Sequence, residues 1–161
     1  MLDTRITKKL NFQGSSNFLK TAMTQSHNEA FVFGLIIFIL WIYLVLRAIL
    51  IQPMHDEIAT FFFFVQSGRF IPYFSEWSTN NHLLNSALTH ISFNLFGLSS
   101  IALRIPNLIV FPLYGFFIWK TGSYIKYLPL RWGFFIATLF VHNYFEFFGL
   151  SRGYGMAFTS L

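Results

Sequence analysis

The sequence predicts an all-α, polytopic membrane helical bundle with amphipathic surface helices in its first outer loop, and three observations carry that expectation. Of 161 residues, 55% are hydrophobic and only 11% charged, with a mean hydropathy of +0.55, which is not the composition of a water-soluble domain. Residues 30–51 form an apolar run of 22 with Arg47 as its one charge, and about 20 such residues cross a bilayer. Two more apolar runs, 101–119 and 132–148, follow at intervals filled by polar and amphipathic sequence.

Composition also excludes. The net charge of +5 does not form a basic stripe with interleaved aromatics, so no nucleic-acid partner is expected. With no cysteine there is neither a disulfide framework nor a thiolate metal site. The first apolar run is too long for a removable signal peptide and lacks a small-residue cleavage site.

Taken in order, residues 1–29 read as a weakly ordered cytoplasmic tail, with Arg5, Lys8, Lys9 and Lys20 and a loop at Gly14, Ser15, Ser16 and Asn17. Residues 30–51 are the first span, with Arg47 close enough to its end to snorkel. Residues 52–100 form the outer loop. Within it, Pro53 blocks the preceding helix and Gly68 offers a stop, while Ile58, Phe61, Phe62 and Val65 line one face of a short surface helix. Asp56 suits the N-cap of that helix and Glu57 its first turn.

A loop marked by Pro72, Ser75, Ser78 and Thr79 then leads to a second amphipathic helix over 82–96. Leu84, Ala87, Leu88, Ile91 and Leu95 form its apolar face, and His82, Asn85, Ser86 and Thr89 the opposite one. Such a polar face fits either plain solvation or the binding of a sugar or phosphate. Gly97 ends the helix. The second span, 101–119, contains Pro106 and Pro112, which are tolerated where neighbouring groups satisfy the freed carbonyls. A basic loop follows to Arg131, then a third span, 132–148, carrying His142, Asn143 and Glu146. A turn with Ser151 and Arg152 precedes an apolar helix over 155–161, whose early stop leads us to expect the amino-terminal part of a longer polytopic chain.

Basic residues set the expected orientation. Arg5, Lys8, Lys9 and Lys20 in the tail and Lys120, Lys126 and Arg131 in the later loop place both segments in the cytoplasm. Asp56, Glu57, Glu76, His82, Glu146 and Arg152 then share the far side. The chain is expected to be multi-pass in a bacterial inner membrane, with a cytoplasmic N-terminus.

The sharpest candidate site is His55-Asp56-Glu57, two carboxylates where the first span leaves the lipid, within reach of a head group or soluble substrate. The same acids fit a helix cap, and the local sequence leaves both readings open. His142 and Glu146 are spaced i, i+4 on one face of the third span, and Arg152 is one turn away. An ion pair between Glu146 and Arg152 that only fixes the turn is the plainer reading of that cluster.

Together these residues carry a resemblance. The acidic pair after the first span, Asn80-Asn81-His82-Leu83-Leu84-Asn85, then Phe96-Gly97-Leu98-Ser99 leading through Arg104-Ile105-Pro106-Asn107, and finally Phe147-Phe148-Gly149-Leu150-Ser151-Arg152-Gly153-Tyr154, resemble the amino-terminal part of a GT-C glycosyltransferase of the protein O-mannosyltransferase and aminoarabinose transferase type. The resemblance covers about residues 30–161. It implies an integral-membrane enzyme that moves a sugar from a polyprenyl-phosphate carrier to an extracytoplasmic hydroxyl or phosphate, with the fragment inactive alone. It implies Asp56, with Glu57 beside it, as the catalytic carboxylate, and Arg152 and Tyr154 near the donor phosphate. His55, His82, Asn85 and Glu146 are the further substrate-binding candidates. The chain departs from the commonest pattern at Gly153 and in lacking an acid directly after Ser151, for which Glu146 is a substitute.

The chemistry agrees with the residues. Displacing a polyprenyl phosphate needs a base for the incoming hydroxyl, Asp56, and a cation for the departing phosphate, Arg152. No Gly-rich nucleotide loop and no Asp-x-Asp pair is present, so a lipid-linked donor fits better than a nucleotide sugar. The expected partners are that donor, membrane lipids and an acceptor the sequence does not specify. No cofactor is required, although Asp56 and Glu146 are chemically suited to sharing a divalent cation. Two rival readings remain at this level: an ion path through Asp56, His142 and Glu146, and a noncatalytic membrane scaffold.

Overall fold

The computed structural model describes residues 3–71, 73–74 and 81–160, without the side chains of 3–26 and 142–144. The described residues contain helices and no strand: α1 (Asp3–Leu50), α2 (His55–Thr60) continuing into a π-helical turn (Phe61–Val65), α3 (Leu83–Phe96), α4 (Ser100–Gly122), α5 (Leu128–Leu139), α6 (His142–Phe148) and α7 (Tyr154–Ser160). Two stretches, His27–Leu50 and Ser100–Gly122, are long and apolar enough to cross a membrane. The chain divides into two compact units, Met1–Ile36 and Ile37–Leu161.

The first unit departs from expectation. Residues 14–17, expected as loop, lie inside α1. Single Gly, Ser or Asn residues cost a helix at most about 1 kcal/mol each, and once a helix is nucleated each added residue gains a hydrogen bond. Local breaker signals therefore lose to propagation here.

In the second unit α4 is the central element, packed against α3, α5, α6 and α7. Ser99 caps it, its side-chain oxygen accepting the N–H of Ala102 at 3.2 Å. Its two prolines each deprive a carbonyl four residues earlier of its helical donor. For Pro106 that carbonyl is Ala102, and the Ser92 hydroxyl of α3 donates to it at 2.5 Å. For Pro112 it is Leu108, and the Trp41 indole N–H of α1 donates to it at 2.8 Å. Each proline thus becomes a point where a neighbouring helix is hydrogen-bonded to α4. We expect Ser92→Ala and Trp41→Phe each to lower stability by about 1 kcal/mol, read from unfolding in mild detergent. No loss in either variant would mean that the carbonyls are satisfied in another way.

This bonding explains a reversal in α3. Its polar face does not meet solvent: Asn85, Ser86, Thr89 and Ser92 are buried, while Leu84, Ile91 and Leu95 are 54–71% exposed. The polar side chains are drawn inward by partners on α4: the carbonyls of Ala102 and Leu103 accept from Ser92 and Thr89, and the Asn107 amide nitrogen donates to Asn85 Oδ1. Gly97, at φ 75°, then turns the chain in a left-handed conformation that glycine adopts without strain.

Two further expectations are corrected. The short surface helix starts at His55 rather than after an Asp56 cap, and Ile58 and Phe62 are exposed while Phe61, Phe64 and Val65 are buried. The π-helical turn shifts the register, and burial of Glu57 on the inner face fixes which side turns inward. The third span, 132–148, is not one helix. It breaks between α5 and α6 at Phe140 and Val141. The Thr138 carbonyl, the acceptor a continued helix would use, instead accepts the Tyr114 hydroxyl at 3.1 Å, and the Thr138 hydroxyl bonds back to Phe134, which favours a bend. The 12 residues of α5 rise about 18 Å, short of a hydrocarbon core of about 30 Å.

Candidate functional site

The site is built on a buried ion pair that the sequence did not advertise. Arg104, in the second turn of α4, and Glu57, in α2, have side chains each only 1% exposed. Guanidinium Nε donates to Glu57 Oε1 at 2.9 Å and Nη2 to Oε2 at 2.7 Å, a bidentate pair. The remaining N–H groups donate to the carbonyls of Ala48, Ile51 and Gln52 at the end of α1. All five guanidinium donors are therefore used, and a cation sits where unpaired helix carbonyls gather. Glu57 also accepts the backbone N–H of Ser151 at 2.6 Å and that of Met54 at 2.9 Å. Burial raises the affinity of Glu57 for its proton, but Arg104 and the two backbone donors outweigh it and hold the carboxyl below its ordinary 4.5.

Glu57 was expected as a second reacting carboxylate beside Asp56. Its surroundings assign it a different task. With both oxygens engaged and its side chain buried, it ties α2 to α4 and to the turn before α7, and Arg104 carries the tie on to the end of α1. A carboxyl with a depressed folded pKa stabilises the fold above its unfolded pKa, and that contribution disappears as pH falls through the folded value. The unfolding midpoint of the wild type should therefore carry the full Glu57 contribution at neutral pH, where it does not vary with pH through this group, and fall below about pH 4.5. Glu57→Gln should lack that acid-dependent component, and parallel acid profiles for the two proteins would refute the assignment.

The tie holds its sequence neighbours together. Asp56 precedes Glu57, and Arg152 follows Ser151. Asp56 Oδ2 and Arg152 Nη2 form an ion pair at the surface, with side chains 48% and 23% exposed. His55 is fully open beside it, its Nδ1 3.8 Å from Asp56 Oδ1. Next along the chain, Gly153 lies so close to His82 that an added Cβ would be 2.5 Å from the His82 Cβ, so only glycine fits. Tyr154 packs its ring edge-to-face on His82, with centroids 4.7 Å apart. Burial lowers the His82 pKa below its ordinary 6.5, so the ring is neutral at pH 7.

Glu146 belongs elsewhere. Its carboxylate pairs with Arg47 of α1 at 2.7 Å, not with Arg152, so Arg47 is held by a partner rather than snorkelling freely. The His142 side chain lies outside the described residues. Asp56 and Glu146 each face a different arginine, an arrangement that does not fit a shared divalent cation. Among the described residues no group of three or more His, Asp or Glu assembles that would hold a metal. Glu76 and the rest of the loop at 72 and 75–80 also lie outside the described residues.

Two hollows adjoin this region. One, of about 280 Å³, is lined by His82, Asn85, Gly153 and Met156 among others. The other, of about 580 Å³, is an apolar groove lined by Leu88, Leu113, Phe117, Ile118 and Phe134, and it shares Leu84, Met156 and Ser160 with the first. At the base of the region the buried Asn107 amide nitrogen donates to Asn85 Oδ1 at 2.9 Å and to the Leu150 carbonyl at 2.8 Å.

No family model, curated protein or solved structure matches this chain. Sequence reasoning missed Arg104, Asn107 and the Ser151 N–H as parts of the site. An arginine and an asparagine inside an otherwise apolar helix were the available signal, since buried polar groups must find partners.

Proposed function

We propose that the chain is part of an integral-membrane glycosyltransferase that moves a sugar from a polyprenyl-phosphate carrier to an acceptor hydroxyl on the extracytoplasmic side. The observation that carries this reading is the partly exposed Asp56–Arg152 pair, joined across the chain by the buried Glu57 tie. A carboxylate and a guanidinium side by side supply the two groups that displacement of a lipid phosphate needs.

In this reading the pair is closed until donor arrives. The donor phosphate draws Arg152 into a charge-assisted contact and releases Asp56. The Asp56 carboxylate takes the proton of the acceptor hydroxyl as its oxygen bonds to the anomeric carbon. The bond from that carbon to the phosphate oxygen breaks, and Arg152 stabilises the departing phosphate. Mass and charge balance without a metal step. Two more features support a lipid-borne substrate: the apolar groove that adjoins the polar hollow, and the outward apolar face of α3, which suits lipid better than water. The test is transfer of radiolabelled sugar from a polyprenyl-phosphate sugar by the full-length protein in proteoliposomes. Cation flux lost in Asp56→Asn, with no transfer from any donor, would replace this reading with an ion path.

A further inference from the structure

The apolar groove of about 580 Å³ runs lengthwise along α4. Its lining on that helix extends from Val110 to Thr121, about 16 Å along the axis at about 1.5 Å per residue. One end meets the smaller hollow at Leu84, Met156 and Ser160. The other end, at Phe117, Ile118, Thr121 and Phe134, has a different neighbour.

That neighbour is positive charge. From residue 120 to residue 131 the chain has Lys120, Lys126 and Arg131 and no acid. Lys120 is next to Thr121 and one turn beyond Phe117, and Arg131 is one turn before Phe134, so α4 and α5 each bring a cation to this end of the groove. The turn that carries them is firmly built. A Cβ on Gly122 would strike the Phe135 ring, so the two helices meet closely there. The Ile125 N–H donates to the Gly122 carbonyl at 2.9 Å, and Arg131 Nε donates to the Ile125 carbonyl at 2.9 Å. Lys120 and Lys126 are exposed, and so are Tyr124 and Tyr127, a residue type that favours the head-group level of a bilayer.

The combination selects its ligand. A soluble anion has no use for a long apolar furrow, and a neutral lipid has none for the lysines. A lipid with a negatively charged phosphate uses both. We propose that this end of the groove seats an acyl chain of an anionic glycerophospholipid, with Lys120 and Lys126 holding its phosphate, in the leaflet that the α4–α5 turn faces. The end beside the smaller hollow remains for the proposed sugar donor. The lipid site does not rest on the transferase reading and is tested without turnover.

The test is quenching of tryptophan fluorescence in the full-length protein, reconstituted into phosphatidylcholine vesicles, by brominated phosphatidylglycerol or brominated phosphatidylcholine. Trp119 and Trp132 report from the α4–α5 contact, each with its ring centroid 5.6 Å from that of Phe135. Phosphatidylglycerol is expected to bind about twenty-five-fold more tightly than phosphatidylcholine, a factor of about five for each lysine. The double variant Lys120→Gln, Lys126→Gln should remove that preference. Thr121→Phe, at an exposed position, should fill the end of the groove and weaken phosphatidylglycerol about tenfold, the equivalent of about two buried methylenes. Monodispersity and the unfolding midpoint check both proteins.

Equal quenching by the two lipids overturns the proposal, as does a preference that survives in the lysine variant. A preference unchanged in Thr121→Phe would reduce the effect to attraction at the bilayer surface and also overturns it. Displacement of brominated phosphatidylglycerol by inorganic phosphate would mark a site for a free anion, and displacement by a polyprenyl phosphate would give the whole groove to the sugar donor; either result ends the proposal. If the lipid site behaves as expected while no donor supports transfer, this site stands and the transferase reading fails.

Discussion

Asp56→Asn is expected to cut sugar transfer by about a thousandfold, within the usual range for loss of a general base, while leaving membrane insertion and the unfolding midpoint nearly unchanged. The side chain is half-exposed, with open His55 beside it and the partly exposed Arg152 as its ion-pair partner. Exposed ion pairs contribute at most about 1 kcal/mol to stability, so stability and activity should separate cleanly. Arg152→Lys keeps the charge but loses the planar fork that grips a phosphate, and it should raise donor KM as well as lower kcat. Initial rates with a polyprenyl-phosphate sugar measure both. Retention of more than a tenth of wild-type kcat/KM in Asp56→Asn would remove Asp56 from the chemistry.

Arg104→Met should be the most destabilising single change in the second unit, costing about 3–5 kcal/mol because it leaves a buried carboxylate without its cation. The effect goes beyond the pair. Arg104 also holds the last carbonyls of α1, and Glu57 also holds the Ser151 N–H. Replacing both residues by apolar ones should therefore fail to restore stability, unlike a simple buried pair. The Glu57→Leu and Arg104→Met cycle in detergent unfolding measures this. The double variant should be no more stable than the wild type by any measure, and the singles should be strongly non-additive. A cost below 1 kcal/mol for Arg104→Met would show that α1, α2 and α4 are held together by something else.

The two predictions meet at one place. On the proposed reading the surface pair carries the chemistry, and the buried pair brings Asp56 and Arg152 together although Glu57 and Ser151 are 94 residues apart. Partial weakening of the tie, for example Glu57→Gln, should then lower kcat more than it raises KM, since the reacting groups would still be present but less well placed.

Much of the layout was legible in the chain. Helical class, the two long apolar helices and the stop at Gly97 follow from composition, length and the few residues whose backbone preferences are strong. The prolines of α4 were readable as points needing outside hydrogen bonds, and Ser92 and Trp41 provide them. Asp56 and Arg152 were readable as an acid and a guanidinium suited to one reaction, although their pairing was not visible in the sequence.

What the chain alone determined, then, was the all-helical class, the two long apolar helices and which residue types are costly to bury, because these depend on composition, length and transfer energy. Tertiary structure decided who partners whom: that Glu57 faces Arg104, that Glu146 faces Arg47, that the polar side of α3 turns inward, and that the third apolar run breaks at Phe140. A charge or an amide inside a helix announces only that it needs a partner. Which of several arginines, carbonyls or amides meets that need is fixed by helix packing, and hydropathy does not encode it.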